Sequence, residues 1–204
     1  MIKAICFDLD GVYFTKEGKQ AFFDALVGLS GSAEKVTHIL YKSPEMLKFV
    51  TGKMSESEIW DFDREYLNIN LSDQELENLW VKEYKIDEEV RATVLKVKER
   101  GYITCVCSNN NSIRIRALEK KFDFLKDFDV KVFSYQVGFA KPRAEIFQAL
   151  IDKSGVKPQE IVYSDDNPER INGAKELGMN VFVYENFSQF LEKLKELGVD
   201  LEQG

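Results

Sequence analysis

The chain has 204 residues, 44% of them hydrophobic, with 28 lysines and arginines against 35 aspartates and glutamates and a formal charge of −7. That length is one ordinary domain or a core carrying a smaller insert, and the acidic balance argues against nucleic acid as the main partner, which would favour a basic face. No apolar stretch approaches the ~20 residues of a membrane span, and the N-terminus runs from Lys3 straight into Asp8 and Asp10, unlike a signal peptide; a cytoplasmic protein with no membrane partner is expected.

Ile2, Ala4, Ile5, Cys6 and Phe7 form a nearly unbroken apolar run. A strand buried on both faces of a parallel sheet has this pattern. The run, extended as a strand over residues 2–12, closes on Asp8 and Asp10, followed by Gly11. The carboxyl end of such a strand is where open α/β sheets place their ligands. If strand geometry continues, the two carboxylates point to one side. Two like charges so close need a cation between them or a shared proton, and a hard divalent ion such as Mg²⁺ would meet that need. The plain alternative is a strand end and a turn, with Gly11 supplying a positive φ.

From residue 15 to 87 the apolar patterns are helical. Ala21, Phe22, Ala25, Leu26 and Leu29 recur at helical spacing before Gly31, and Val36, Ile39 and Leu40 start a second helix interrupted at Ser43-Pro44. Ser55 with Glu58, and Ser72 with Glu75, are capping boxes opening two further helices. These carry Trp60 and Trp80, which read as core of the insert or as substrate platforms. Beyond residue 87, strands at 102–107, 130–133, 161–163 and 181–184 alternate with helices, the last of them over 187–197. Such alternation predicts an α/β, Rossmann-like parallel sheet with helices on both faces. The expected division is a core of residues 1–14 and 88–204 with an inserted α-helical cap over 15–87. Residues 198–204 read as a frayed end. Cys6, Cys105 and Cys107 all fall in apolar strands and read as core residues of a reducing compartment, while His38, the one histidine, leaves little room for a mechanism built on imidazole.

Strand or loop ends thus carry Asp8 with Asp10, Ser108 with Asn109, Lys141, and Asp165 with Asp166. In a parallel sheet these ends share one edge, so the groups can converge. Separately each has a bland reading: a solvated Lys141, a helix-capping Ser108, and Asp165 and Asp166 as caps of the following helix. Together, Asp8-Leu9-Asp10-Gly11-Val12, Ser108-Asn109, Lys141-Pro142 and Asp165-Asp166 resemble, in order and over essentially the whole chain, the four motifs of the haloacid dehalogenase superfamily. The segment from Gly52 to Trp60 and the run Asp165-Asp166-Asn167-Pro168-Glu169 resemble the branch that includes glucose-1-phosphate phosphatases and the N-terminal phosphatase domain of soluble epoxide hydrolase.

The resemblance implies a Mg²⁺-dependent phosphatase of a small phosphorylated metabolite, with a sugar phosphate the expected class. In it Asp8 would be the nucleophile forming an aspartyl-phosphate, and Asp10 the acid and base, its pKa raised by crowding among carboxylates. Asp8, the Asp10 carbonyl and Asp166 would hold the metal, with Asp165 acting through water or Lys141. Ser108, the Asn109 amide and Lys141 would bind the phosphoryl group. Rival readings are a haloacid dehalogenase, disfavoured by Asp10; a hexose-phosphate mutase; a phosphonate hydrolase using Lys53; a phospho-acceptor signalling module, disfavoured by the insert; and an inactive relative that binds a partner. Arg143 after Lys141-Pro142, and the bulky Tyr13-Phe14 pair, expected at the pocket mouth, depart from the family pattern. Oligomeric state is not legible.

Overall fold

The computed structural model describes residues 1–199 and 201. β1 (Ala4–Phe7) is the central strand, flanked by β2 (Ile103–Ser108) and β4 (Ile161–Asp165), with β3 (Val130–Phe133) and β5 (Asn180–Val183) at the edges. The order is β3-β2-β1-β4-β5, and every neighbouring pair is parallel. Side chains alternate across β1: Ile5 and Phe7 enter one apolar cluster, Ala4 and Cys6 the other, so both faces of the sheet are covered. Cys105 and Cys107 join Cys6 in the second cluster as free, buried thiols. Burial pushes all three up, Cys105 and Cys107 to about 12, which keeps them protonated core residues.

β1 is shorter than the apolar run. It ends at Phe7, and the chain turns through Asp8 to Phe14, where the Gly11 amide donates to the Phe14 carbonyl at 2.7 Å. Phe7 pairs with Val106 on one side and Ser164 on the other. Asp8, one residue on, is therefore level with Cys107 and Asp165. Tyr13 and Phe14 do not reach a pocket mouth. Both are fully buried, Phe14 packing on Tyr84, Phe122 and Phe124, and the Tyr13 hydroxyl donating to Asp127 at 2.6 Å. Two large aromatic rings gain more from this core than from a solvated rim.

Five α-helices follow: α1 (Glu17–Ser30), α2 (Ala33–Thr37), α3 (Pro44–Val50), α4 (Glu56–Leu67) and α5 (Asp73–Val81). A π-helical stretch, His38–Lys42, joins α2 to α3, and His38 stacks on Tyr66. Both capping boxes form, at Ser55 with Glu58 and at Ser72 with Glu75. Trp60 and Trp80 are buried against each other, Trp80 also stacking on Phe22. The helical run is seated by close contacts. A Cβ at Gly18 would strike the Tyr84 backbone, and one at Gly52, which has φ +68°, the Tyr135 carbonyl.

The remaining helices are α6 (Glu88–Glu99), α7 (Ser112–Phe122), α8 (Ser134–Val137), α9 (Ala144–Ser154), α10 (Asn172–Glu176) and α11 (Phe187–Glu196). Arg116 on α7 bridges Glu56 of α4 and Glu77 of α5, both at 2.8 Å. Lys121 donates to the Val81 and Lys82 carbonyls at the end of α5 at 2.8 and 2.7 Å, a cation where the helix dipole favours one. The expected frayed end is not seen at Val199 and Leu201, which pack into the core. Residues 200 and 202–204 of that expectation lie outside the described residues. No helix among the described residues is long and apolar enough to cross a membrane.

Candidate active site

The carboxyl edge of β1, β2 and β4 gathers one buried cluster. The Lys141 ammonium is wholly enclosed and lies 2.9 Å from Asp8 Oδ1 and 2.6 Å from Asp165 Oδ2. It donates to the Cys107 carbonyl at 3.1 Å and to the Tyr163 hydroxyl oxygen at 2.8 Å, and that hydroxyl donates in turn to Asp165 Oδ2 at 2.5 Å. Lys141 is thus no solvated loop lysine. Burial works to lower its pKa, but the two flanking carboxylates outweigh it and leave it firmly protonated. The loop that carries it is fastened by Asn109, whose side chain accepts from the Lys141 amide at 2.7 Å and donates to its carbonyl at 3.0 Å. Behind it the Lys141–Pro142 peptide is cis, and Gly173 of α10 packs so closely that a Cβ there would collide with the Pro142 carbonyl.

Asp8 and Asp165 differ in what they accept. Both Asp165 oxygens are engaged, Oδ2 as above and Oδ1 by the Asn167 amide at 3.0 Å. Burial would raise its pKa, yet Lys141 and the hydrogen bonds bring it below the usual value. Asp8 is buried with no hydrogen-bond donor on either oxygen, and desolvation, with Asp165 beside it, raises its pKa in spite of Lys141. Arg170 stands 3.9 Å from Asp8 Oδ2. Asp166 is partly exposed and forms an ion pair with the solvent-exposed Lys16, at 3.2 Å. A side chain at Gly11 would strike the Asp166 carboxylate, and Gly11 has φ +82°. Among the described residues, Asp8, Asp165 and Asp166 are the one group of three whose ligand atoms lie within 4.8 Å of one another. Three hard carboxylates so close together, one of them the buried Asp8 with no hydrogen bond to its oxygens, suit a small divalent cation.

Asp10 departs from expectation. Its carboxylate is not in the group of oxygens that could hold a metal ion with Asp8. Its carboxylate turns to Arg114 on α7, 2.6 Å away, and accepts from the Tyr84 hydroxyl at 3.2 Å. Burial works to raise its pKa, but Arg114, then Lys19 and the Tyr84 bond, outweigh it and hold the carboxyl below the ordinary range. The rise expected from crowding is reversed because β1 ends at Phe7 and the turn gives each carboxylate its own cation. Ser108 ends β2 in the buried edge. It does not cap α7; Asn111 does, accepting from the Arg114 amide at 2.9 Å. Sequence reasoning missed Arg114, Tyr84, Tyr163 and Arg170. The signal available for Arg114 was a charge beside the apolar stripe of Ile113, Ala117 and Leu118, on a helix starting at the sheet edge. Lys53 is exposed and does not line the cavity beside Asp10, so it is not placed to form a Schiff base with a phosphonate there.

The family profile of haloacid dehalogenase-like hydrolases matches residues 2–178. The chain belongs to this family. Among relatives of this haloacid dehalogenase-like hydrolase is the D-ribitol-5-phosphate phosphatase of Bacteroides thetaiotaomicron, 27% identical over 95% of the chain and 97% of that protein. Another is the bifunctional epoxide hydrolase 2 of Mus musculus, 27% identical over 55% of the chain but only 21% of that longer protein. Among solved structures, a HAD family enzyme of Bacteroides thetaiotaomicron superposes with a TM-score of 0.78 at 27% identity, covering 93% of this hydrolase and 98% of the other. The same enzyme in complex with magnesium and inorganic phosphate gives a TM-score of 0.78 at 26% identity, covering 93% and 99%. The parallel sheet and its helices are the fold of this family.

Proposed function

We propose that this hydrolase is a Mg²⁺-dependent phosphatase acting on a small phosphorylated metabolite, with a sugar phosphate the nearest class. The observation that carries the reading is the buried Asp8 carboxylate, ion-paired with Lys141 at 2.9 Å and within 4.8 Å of Asp166. Relatives named as phosphatases, and a similar enzyme solved with magnesium and phosphate, support it. Residues 15–87 would act as the cap and residues 1–14 with 88–204 as the core; the cap chooses the ester and the core performs the chemistry.

Asp8 would attack phosphorus in line, forming an aspartyl-phosphate that water then hydrolyses. Asp8, Asp166 and the Asp10 carbonyl would hold Mg²⁺, which when bound neutralises phosphoryl charge. Lys141 steadies Asp8 and, with Ser108 and the Asn109 amide, receives the phosphoryl oxygens; Arg170 adds a second cation on that side. Asp165 keeps Lys141 in place. Asp10, held ionised by Arg114, is ready to take a proton from the hydrolytic water, and protonating a poor leaving group requires it first to leave that pair. Its presence favours a phosphate ester over a haloacid, whose halide leaves without a proton.

4-Nitrophenyl phosphate should be hydrolysed with Mg²⁺, lose turnover in excess chelator and regain it on adding metal. Asp8→Asn should remove turnover while leaving the melting transition cooperative. Full activity in chelator with metal removal verified, or retained activity in Asp8→Asn, would overturn the reading.

A further inference from the structure

A cavity of about 470 Å³ opens beside Asp10, between α1, the stretch from Leu40 to Val50, and the turn leading into α7. Its charged lining is Lys19, Lys42, Arg114 and Arg170 against the one carboxylate of Asp10. A chain with formal charge −7 has here collected cations in a partly enclosed cleft, where field lines are focused.

The four cations are not equivalent. Arg114 is taken by Asp10 at 2.6 Å. Arg170, 3.9 Å from Asp8, belongs to the side where phosphorus is attacked. With Lys141 also against Asp8 at 2.9 Å, the transferred phosphoryl group already has its cations. No described carboxylate lies within 4.0 Å of the ammonium of Lys19 or Lys42. Lys19 has the stronger claim to a ligand. It is half-buried on α1, its ammonium 5.9 Å from the Tyr41 ring centre, and α1 is held there by the close packing of Gly18 on Tyr84. Desolvation lowers its pKa while Asp10 opposes, so an anion seated beside it would relieve a strained ammonium. Lys42 stands exposed at the rim. Leu40, Met46, Val50 and Trp80 also line the cavity and give it apolar surface fit for a carbon skeleton.

We infer that the substrate is a phosphate monoester whose alcohol carries a second anionic group, and that Lys19, with Lys42 at the rim, binds that group. This rests on the phosphatase reading above and narrows it. A neutral polyol phosphate would leave Lys19 facing the carbon chain unpaired, whereas a carboxylate or second phosphate would complete a charge-assisted pair. Discrimination then comes from the penalty on the neutral analogue as much as from the gain on the anionic one.

The test uses matched esters. Glucitol 6-phosphate and gluconate 6-phosphate differ only in a terminal hydroxymethyl or carboxylate, and glucitol 1,6-bisphosphate tells a phosphate from a carboxylate as the second anion. The intact enzyme should favour one or both esters with the second anion over glucitol 6-phosphate by about tenfold or more in kcat/KM. Lys19→Met should lose about that factor on the favoured ester, mainly through KM, and several-fold less on glucitol 6-phosphate, so that the preference between the two collapses. Lys19→Arg should recover most of the loss. Equal or better use of glucitol 6-phosphate, or equal losses on all esters in Lys19→Met, would overturn the inference. If Lys19→Met melts early, Lys19→Gln and the ionic-strength dependence of KM for the charged ester decide the question in its place. Loss of 4-nitrophenyl phosphate turnover in the intact enzyme would instead mark failure of the phosphatase reading itself.

Discussion

Two aspartates two positions apart in the chain occupy opposite electrostatic settings. Asp8 is raised by burial, with Lys141 opposing, and its oxygens have no hydrogen-bond donor. Asp10 is held low by Arg114 against the effect of burial. An ionised Asp10 suits the hydrolytic half of the reaction, where it receives a proton, better than the first half. Its folded pKa is depressed, so its base form persists as pH falls and is lost only below the ordinary carboxylate range. Asp10 should therefore not set the acid limb of the kcat–pH profile for an aryl phosphate, whose leaving group needs no proton, and Asp8, the carboxyl raised by burial, should set it instead; an acid limb that disappears in Asp10→Asn would mean that Asp10 leaves Arg114 in the working enzyme. Asp10→Asn should slow turnover by about 10²-fold or more and let phosphoenzyme accumulate with aryl substrates, as read by rapid quench with labelled phosphate. Equal loss of both half-reactions would contradict this division of labour.

Among the helices, α4 and α10 carry separable consequences. Asp63 on α4 is buried, its Oδ1 has no hydrogen-bond partner, and desolvation lifts its pKa to about 7. The folded value lies above the unfolded one, so the folded state holds the extra proton between them. Stability is then fully present below about pH 4 and declines as pH rises through about 7. Asp63→Asn should flatten that part of the melting-temperature profile, the difference from wild type reaching about 2–4 kcal/mol at pH 8. Parallel profiles for the two proteins would show that Asp63 finds a partner on ionisation. On α10, Gly173→Ala would push the Pro142 carbonyl and with it the Lys141 loop. About 1–3 kcal/mol of destabilisation is expected from such overpacking, together with a fall in kcat. A variant that melts early with unchanged kcat would show that the loop absorbs the displacement without moving Lys141.

For the molecule as a unit, binding of a cation to the folded state alone raises its stability by mass action. Asp165 already accepts from Lys141, Tyr163 and Asn167, whereas Asp166 faces a single exposed lysine. Asp165→Ala should therefore lower the metal-free melting temperature, since it leaves Lys141 with one carboxylate, yet keep the rise on adding Mg²⁺. Asp166→Ala should leave the metal-free value near wild type and lose the rise. Differential scanning calorimetry with and without Mg²⁺ separates the two, and the reverse pattern would exchange the roles given to these neighbours.

Much of this architecture was legible in the chain because burial imposes periodicity. A strand covered on both faces must be apolar throughout, and β1, β2 and β4 read that way at Ile5, Cys105 and Val162. The capping boxes at Ser55 and Ser72 were equally plain, since a cap is satisfied within four residues of its own position. That polar groups cluster at one edge followed from the parallel sheet, and the family from the order of those groups. The pairing of each charge did not follow. Arg114 reaches Asp10 across 104 residues of chain, Lys19 enters the same cavity from α1, and Tyr13 and Phe14 turn inward because β1 stops at Phe7 rather than running to Val12. Such contacts depend on the angle of a turn and the seating of one helix on another. Those are properties of packed elements, and local sequence carries no record of them.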